Sequence, residues 1–151
     1  MRILGNILWH FPFLGFIDAI LTFLLGSLFT LTVVGAPVGL GLLQLSKFLF
    51  SPFTTAMIYK KDLSNSDLNM WSSYSFVIRI IYIPIGIILS AFFILRIVAL
   101  FASIVGIPAA IVAAKSLPSV FNPVSRKCVP VSVKEELEKN KAKEYIAKQI
   151  V

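Results

Sequence analysis

Charge is what this chain has least of. Only 14% of its residues are Asp, Glu, Lys or Arg, too few to cover a soluble globule, while 58% are hydrophobic and mean hydropathy is +0.90. Soluble domains use roughly 45–50% apolar residues. Acidic side chains are scarcer still, and Glu135, Glu136, Glu138 and Glu144, four of the 7, sit together near the C-terminus. Cys128 is the only cysteine, which excludes an intrachain disulfide; its neighbours Arg126 and Lys127 favour a thiolate. His10 is the only histidine. With it goes support for a Ser/His/Asp set or a metal-ligand cluster, and no glycine loop suited to phosphate is present. No enzyme activity, metal or cofactor is expected. The net charge of +7 does not point to nucleic acid, because Arg2, Lys60, Lys61, Arg79, Arg126 and Lys127 flank apolar runs. Positive residues there set membrane orientation and attract anionic lipid headgroups.

Residues 7–34 and 76–105 are the long apolar runs, and each exceeds the roughly 20 residues that cross a hydrocarbon core. The first starts almost at the N-terminus and outruns the ~7–15 apolar residues of a signal peptide, so it reads as a retained helix. As one helix it would span roughly 42 Å, which calls for a tilt or a kink, and His10-Phe11-Pro12 is the place for it. Gly35-Ala36-Pro37 then ends that helix and starts another. The following segment, residues 38–50, is short of a full crossing. The preferred reading continues it through Ser51-Pro52 to Tyr59 as a kinked span; the alternative is a half-length segment that dips in and returns.

The chain repeats itself. Val34-Gly35-Ala36-Pro37 returns 71 positions later as Val105-Gly106-Ile107-Pro108, and Phe50-Ser51-Pro52 returns in the same register as Phe121-Asn122-Pro123. The expected fold is an all-α membrane protein of two tandem repeats, each a long helix, a Gly-x-Pro turn and a short kinked or half-length helix. Residues 1–59 form the first repeat, 60–73 a cytoplasmic loop, 74–133 the second repeat and 134–151 a charged amphipathic tail with pairs such as Glu135–Lys139 and Glu144–Lys148. Positive residues place both termini and the loop in the cytoplasm, both turns on the opposite side, and the two repeats parallel.

These residues carry a resemblance. Ser103-Ile104-Val105-Gly106-Ile107-Pro108, with Lys115, Pro123, Arg126, Val129 and Val131, resembles the second half of the bacterial YccF inner-membrane proteins. Asn6-Ile7-Leu8, Lys47, Pro52 and Asp62-Leu63 resemble the first half. The similarity runs from about residue 4 to residue 133. Asn122-Pro123-Val124 departs from it, standing where an aromatic before the proline and a glycine two residues after it belong. The resemblance implies a bacterial inner-membrane protein with a duplicated domain, and it supplies no activity and no catalytic residue.

Charges at membrane depth mark functional candidates by default. Asp18 lies within the first long segment and Arg96 far along the second. A bridge between them needs helices staggered by about 10 Å or side chains that bend towards each other, and none is expected. Lys47 and Lys115 lie within the short segments, and their sharper reading is a wet, electropositive interior that favours anions, with Gln44 sharing that surface. Gly35, Pro37, Pro52, Gly106, Pro108 and Pro123 are the turn and hinge candidates. Gly35, Gly39, Gly41, Ala109, Ala110, Ala113 and Ala114 suit close helix packing between repeats or subunits. The function expected is a homo-oligomeric channel or transport module. Its alternative is a non-catalytic scaffold binding another membrane protein or anionic lipid, with the tail as a docking helix.

Overall fold

The computed structural model describes residues 2–11, 13–63, 70–124 and 126–150. In chain order they form α1 (Arg2–His10), α2 (Gly15–Leu31), α3 (Ala36–Phe50), β1 (Thr55–Tyr59), α4 (Met70–Ala102), α5 (Ile107–Phe121), β2 (Arg126–Pro130) and α6 (Val131–Ile150). Short 3₁₀ turns lie at Lys60–Asp62 and Ile104–Gly106.

The first apolar run is broken, with α1 and α2 bent by 79°. Leu14 at this elbow has a φ of 51°, a left-handed conformation rarely taken by a branched side chain. The elbow closes on Trp9, which is buried, and the bare backbone of Gly15 lies where any Cβ would meet the indole. Trp9 Nε1 donates to the Leu49 carbonyl at 2.9 Å, His10 Nε2 lies 2.9 Å from the Phe50 carbonyl, and the Phe53 amide donates to Asn6 Oδ1 at 3.1 Å. The last carbonyls of a helix have no partner within it. Helix α1 therefore folds back because its polar side chains cap the end of α3. Trp9→Phe keeps most of the ring and removes the bond, and is expected to lower stability by about 1–2 kcal/mol, read by unfolding in detergent.

Gly35 precedes α3 and Pro37 sits in its first turn; Gly106 and Pro108 do the same for α5. Proline suits that position because its missing N–H has no intrahelical acceptor there. Helices α2 and α3 form a hairpin whose backbones touch at Gly26 and Gly39. Helices α4 and α5 form another, with Gly86 against the Phe121 carbonyl and the Tyr82 hydroxyl donating to the Val120 carbonyl at 3.3 Å.

Two expectations change here. Helix α3 stops at Phe50 and the preferred kinked span through Pro52 does not form; residues 55–59 are a strand. The Ser51 carbonyl gathers the Thr54 and Thr55 amides and both threonine hydroxyls, which turns the chain out of the helix. Strand β1 then pairs antiparallel with β2, Thr55 opposite Pro130, Met57 opposite Cys128 and Tyr59 opposite Arg126. The fold is mostly helical but not all-α.

The second change concerns direction. Asp18 near the start of α2 meets Arg96 near the end of α4, and the Tyr74 hydroxyl near the start of α4 donates to the Val33 carbonyl beyond the end of α2. The two long helices run in opposite directions, not parallel. Helices α3 and α5 do likewise. Leu49 shares one core with Ala109 and Val112, while Val38 shares another with Val124. Hydropathy reports length and apolarity but carries no sign of direction.

The elements stack in order of charge. Helices α2 and α4 pack on α3 and α5, the ribbon packs on α3, and α6 packs on the ribbon. Helix α2 holds Asp18 alone, and α4 has no charge between Arg79 and Arg96. Helices α3 and α5 hold one lysine each, whereas α6 holds nine charged residues. Helix α6 is tied at the Val131 amide to the Thr54 carbonyl, by Glu135 to Arg2 at 2.9 Å and by Lys141 to Asp62 at 2.7 Å. The expected Glu144–Lys148 pair forms at 3.0 Å; Glu135 is taken by Arg2 and Lys134–Glu138 forms at 3.5 Å instead of Glu135–Lys139. Exposed pairs of this kind contribute about 0–1 kcal/mol each.

Candidate functional site: an ion pair between the hairpins and a basic ribbon

A cleft of about 230 Å³ lies between the two hairpins, bordered by Asp18 and Thr22 of α2, Leu45 of α3, Phe93 and Arg96 of α4, and Ser116 of α5. Arg96 Nη2 donates to Asp18 Oδ2 at 2.8 Å. The sequence reading did not expect this bridge because it measured both depths from the same side. With α2 and α4 running oppositely, a residue early in one stands level with a residue late in the other. An isolated charge in an apolar setting is costly, and opposite charges in contact relieve each other. The pair fastens one hairpin to the other, and each charge in the cleft is already satisfied by its partner.

Lys47 and Lys115 are exposed and neither borders that cleft. Lys115 Nζ lies 5.2 Å from the centre of the Phe53 ring. Gln44 Oε1 accepts the Cys128 amide at 3.1 Å, fastening the ribbon to α3. Nor does Cys128 favour a thiolate. Burial pushes its thiol up from the ordinary value, and a hydrogen bond from Thr55 and the charge of Lys47 offset only part of this. Of the hinge candidates, Pro52 and Pro123 are buried, and the Pro123 backbone lies against Gly41. Asn122, the departure from the family pattern, is buried and accepts the Val124 amide through its own Oδ1 at 3.2 Å, so it builds the turn locally.

A further group of cations lies at the Tyr59–Arg126 end of the ribbon; the sequence marked Lys61 and Arg126 as part of a basic rim but not their meeting around one ring. Arg126 is 8% exposed, its guanidinium 4.2 Å from the centre of the Tyr59 ring. Its Nη2 donates to the Tyr59 hydroxyl at 2.8 Å and its Nε to the Asn122 carbonyl at 3.2 Å. Lys61 Nζ approaches the same ring at 5.6 Å. Tyr59 and Arg126 are distant in sequence, and only the ladder makes them neighbours. The one linear clue is an aromatic followed directly by Lys60 and Lys61.

Residues 4–55 match the sequence profile of the YccF family, described as an inner membrane component domain. That stretch, about a third of the chain, is similar to a YccF domain. The matched residues contain the α1 cap, the α2–α3 hairpin and the turn into β1. The family description and the apolar helices support a membrane location, and two helical stretches, Tyr74–Ala102 and Ile104–Phe121, are long and apolar enough to cross a membrane. No curated relative and no solved structure matches the chain.

Proposed function

We propose that the chain is a non-catalytic scaffold of the inner membrane, with both hairpins lying flat in the cytoplasmic leaflet and the ribbon and α6 turned to anionic headgroups and a partner protein. The observation that carries this reading is the composition of the hairpin turns. Leu31, Val33 and Val34 crown one and Ile104 and Val105 the other; Val33 is 83% and Ile104 86% exposed. Turns that face water favour Asn, Asp, Ser and Gly, so these tips suit hydrocarbon. Thr30 and Thr32 hydroxyls donate to carbonyls of their own helix, Gly26 and Phe29, as lipid surroundings require. Two hairpins pointing in opposite directions cannot both plunge from one surface, and lying flat removes that conflict. It also sets the charge gradient along the membrane normal. Two helix layers at about 8–10 Å spacing bring α2 and α4 near the bilayer midplane.

Duplication supports the same arrangement. The boundaries of α3, Ala36–Phe50, and β1, Thr55–Tyr59, reappear 71 positions later as those of α5, Ile107–Phe121, and β2, Arg126–Pro130. Met57 faces Cys128, its own counterpart, in the ladder, which is the register of a two-fold axis through the ribbon. An axis along the membrane normal leaves both units with the same face to the cytoplasm, and both termini with it.

A second reading is favoured by the length and apolarity of α4. If α4 spans, the ribbon and the exposed Lys47 and Lys115 stand at membrane depth, and several copies must cover them around a wet, electropositive, anion-favouring interior. The two readings separate by thiol labelling. In a Cys128→Ser background, Val34→Cys and Val105→Cys in sealed vesicles are expected to resist a membrane-impermeant reagent from either side. Reaction from either side moves the tips into water and supports the spanning oligomer.

A further inference from the structure

Among the described residues the cations around Tyr59 lack a counter-charge. Arg126 is buried, and its two hydrogen bonds go to neutral acceptors, Tyr59 and the Asn122 carbonyl. Lys61 lies over the same ring. Arg79 belongs to the group as well: Ile78, beside it in α4, packs against Val124, two residues before Arg126. Among the described residues no carboxylate pairs with Lys61, Arg79 or Arg126, and Asp62, the nearest acid in sequence, is held by Lys141. Burial pushes the Arg126 guanidinium down from its ordinary value and the charge of Arg79 adds to this, with Tyr59 opposing. Buried charge is ordinarily paired, and here like charges are assembled with no carboxylate among the described residues to balance them.

The geometry points to a binding site for the phosphate of an anionic membrane phospholipid, formed by Arg126, Arg79 and Lys61 around Tyr59. Arginine presents a planar fork that matches phosphate oxygens. In Arg126 the Tyr59 and Asn122 bonds use Nε and Nη2, leaving Nη1 without a protein acceptor among the described residues. A lipid fits better than a free anion because Phe76 and Ile80 flank Arg79 and are 61% and 52% exposed, offering an apolar track for acyl chains beside the charge. Basic pockets beside membrane helices on the cytoplasmic side take anionic headgroups in this way. The site deepens the scaffold reading by naming the lipid class that its basic face holds.

The test is equilibrium binding of a fluorescent phosphatidylglycerol to the purified full chain in neutral detergent, where the site is read whether the helices lie flat or span. One lipid per chain is expected, phosphatidylcholine should not compete, and the double variant Lys61→Gln/Arg79→Gln should weaken binding by about tenfold or more. The double variant Lys143→Gln/Lys148→Gln, which removes the same charge from α6, should bind like the wild type. Arg126→Lys, which keeps the charge and removes the fork, should also weaken binding. Equal losses in both double variants would show a diffuse charge effect and overturn the site. So would equal binding of phosphatidylcholine, or displacement of the lipid by inorganic phosphate at matched concentration, which would identify the ligand as the free anion.

Discussion

Gly41→Val is expected to destabilise the protein by about 3 kcal/mol, the upper end of ordinary overpacking, read as a lowered midpoint of thermal unfolding in detergent. A Cβ at Gly41 lands on the carbonyl and ring carbon of Pro123. That obstacle is backbone, and it leads directly into β2, so it cannot swing aside without disturbing the ladder. Gly5→Ala is the control. The atoms its Cβ meets belong to the Phe53 side chain and not to backbone, so the ring can give way by a small shift, and the expected cost is smaller, about 1 kcal/mol. Equal losses at the two positions would mean that the α3 backbone does not rest on the Pro123 turn.

Arg96→Gln is expected to cost about 3 kcal/mol, because breaking one partner of a desolvated pair leaves the other charge uncompensated. Asp18 and Arg96 keep 31% and 47% of their side-chain surface open, and in the flat-lying arrangement proposed above that surface meets hydrocarbon and the cleft more than water. Asp18→Asn alone should also destabilise. The double variant Asp18→Asn/Arg96→Gln should recover most of the loss, since two neutral amides can bond each other. A double-mutant cycle of unfolding in detergent reads the coupling. Additive losses would place the two residues apart and remove the bond between hairpins.

Much of the helical plan was legible in the residues. Both Gly-x-Pro sites start short helices for a local reason: proline is welcome in a helix's first turn, where its missing N–H has no intrahelical acceptor to satisfy. The break in the first run was legible at His10-Phe11-Pro12, though the reason for it was not. Trp9 and His10 reach carbonyls at Leu49 and Phe50, and nothing near position 10 names those acceptors. The strands were missed because Thr55–Tyr59 and Arg126–Pro130 are short and lack a clear alternation of apolar and polar side chains. Each is a strand only because the other is beside it. The charged candidates were individually visible, since a charge in an apolar run stands out, yet their roles depended on neighbours. Asp18 and Arg96 found each other, Gln44 went to the ribbon, and Arg126 joined Tyr59.

By itself the sequence determined the apolar runs and the residues at which the short helices begin. Those follow from summed apolarity and from the dihedral limits of glycine and proline, which act within a few residues. The tertiary structure alone decided that α2 opposes α4, that the ribbon closes between Met57 and Cys128, and that cations gather around Tyr59. Hydropathy has magnitude but no direction. Which helix end meets which is settled only when backbones without side chains, at Gly26, Gly39, Gly41 and Gly86, allow one packing to come closer than its alternatives.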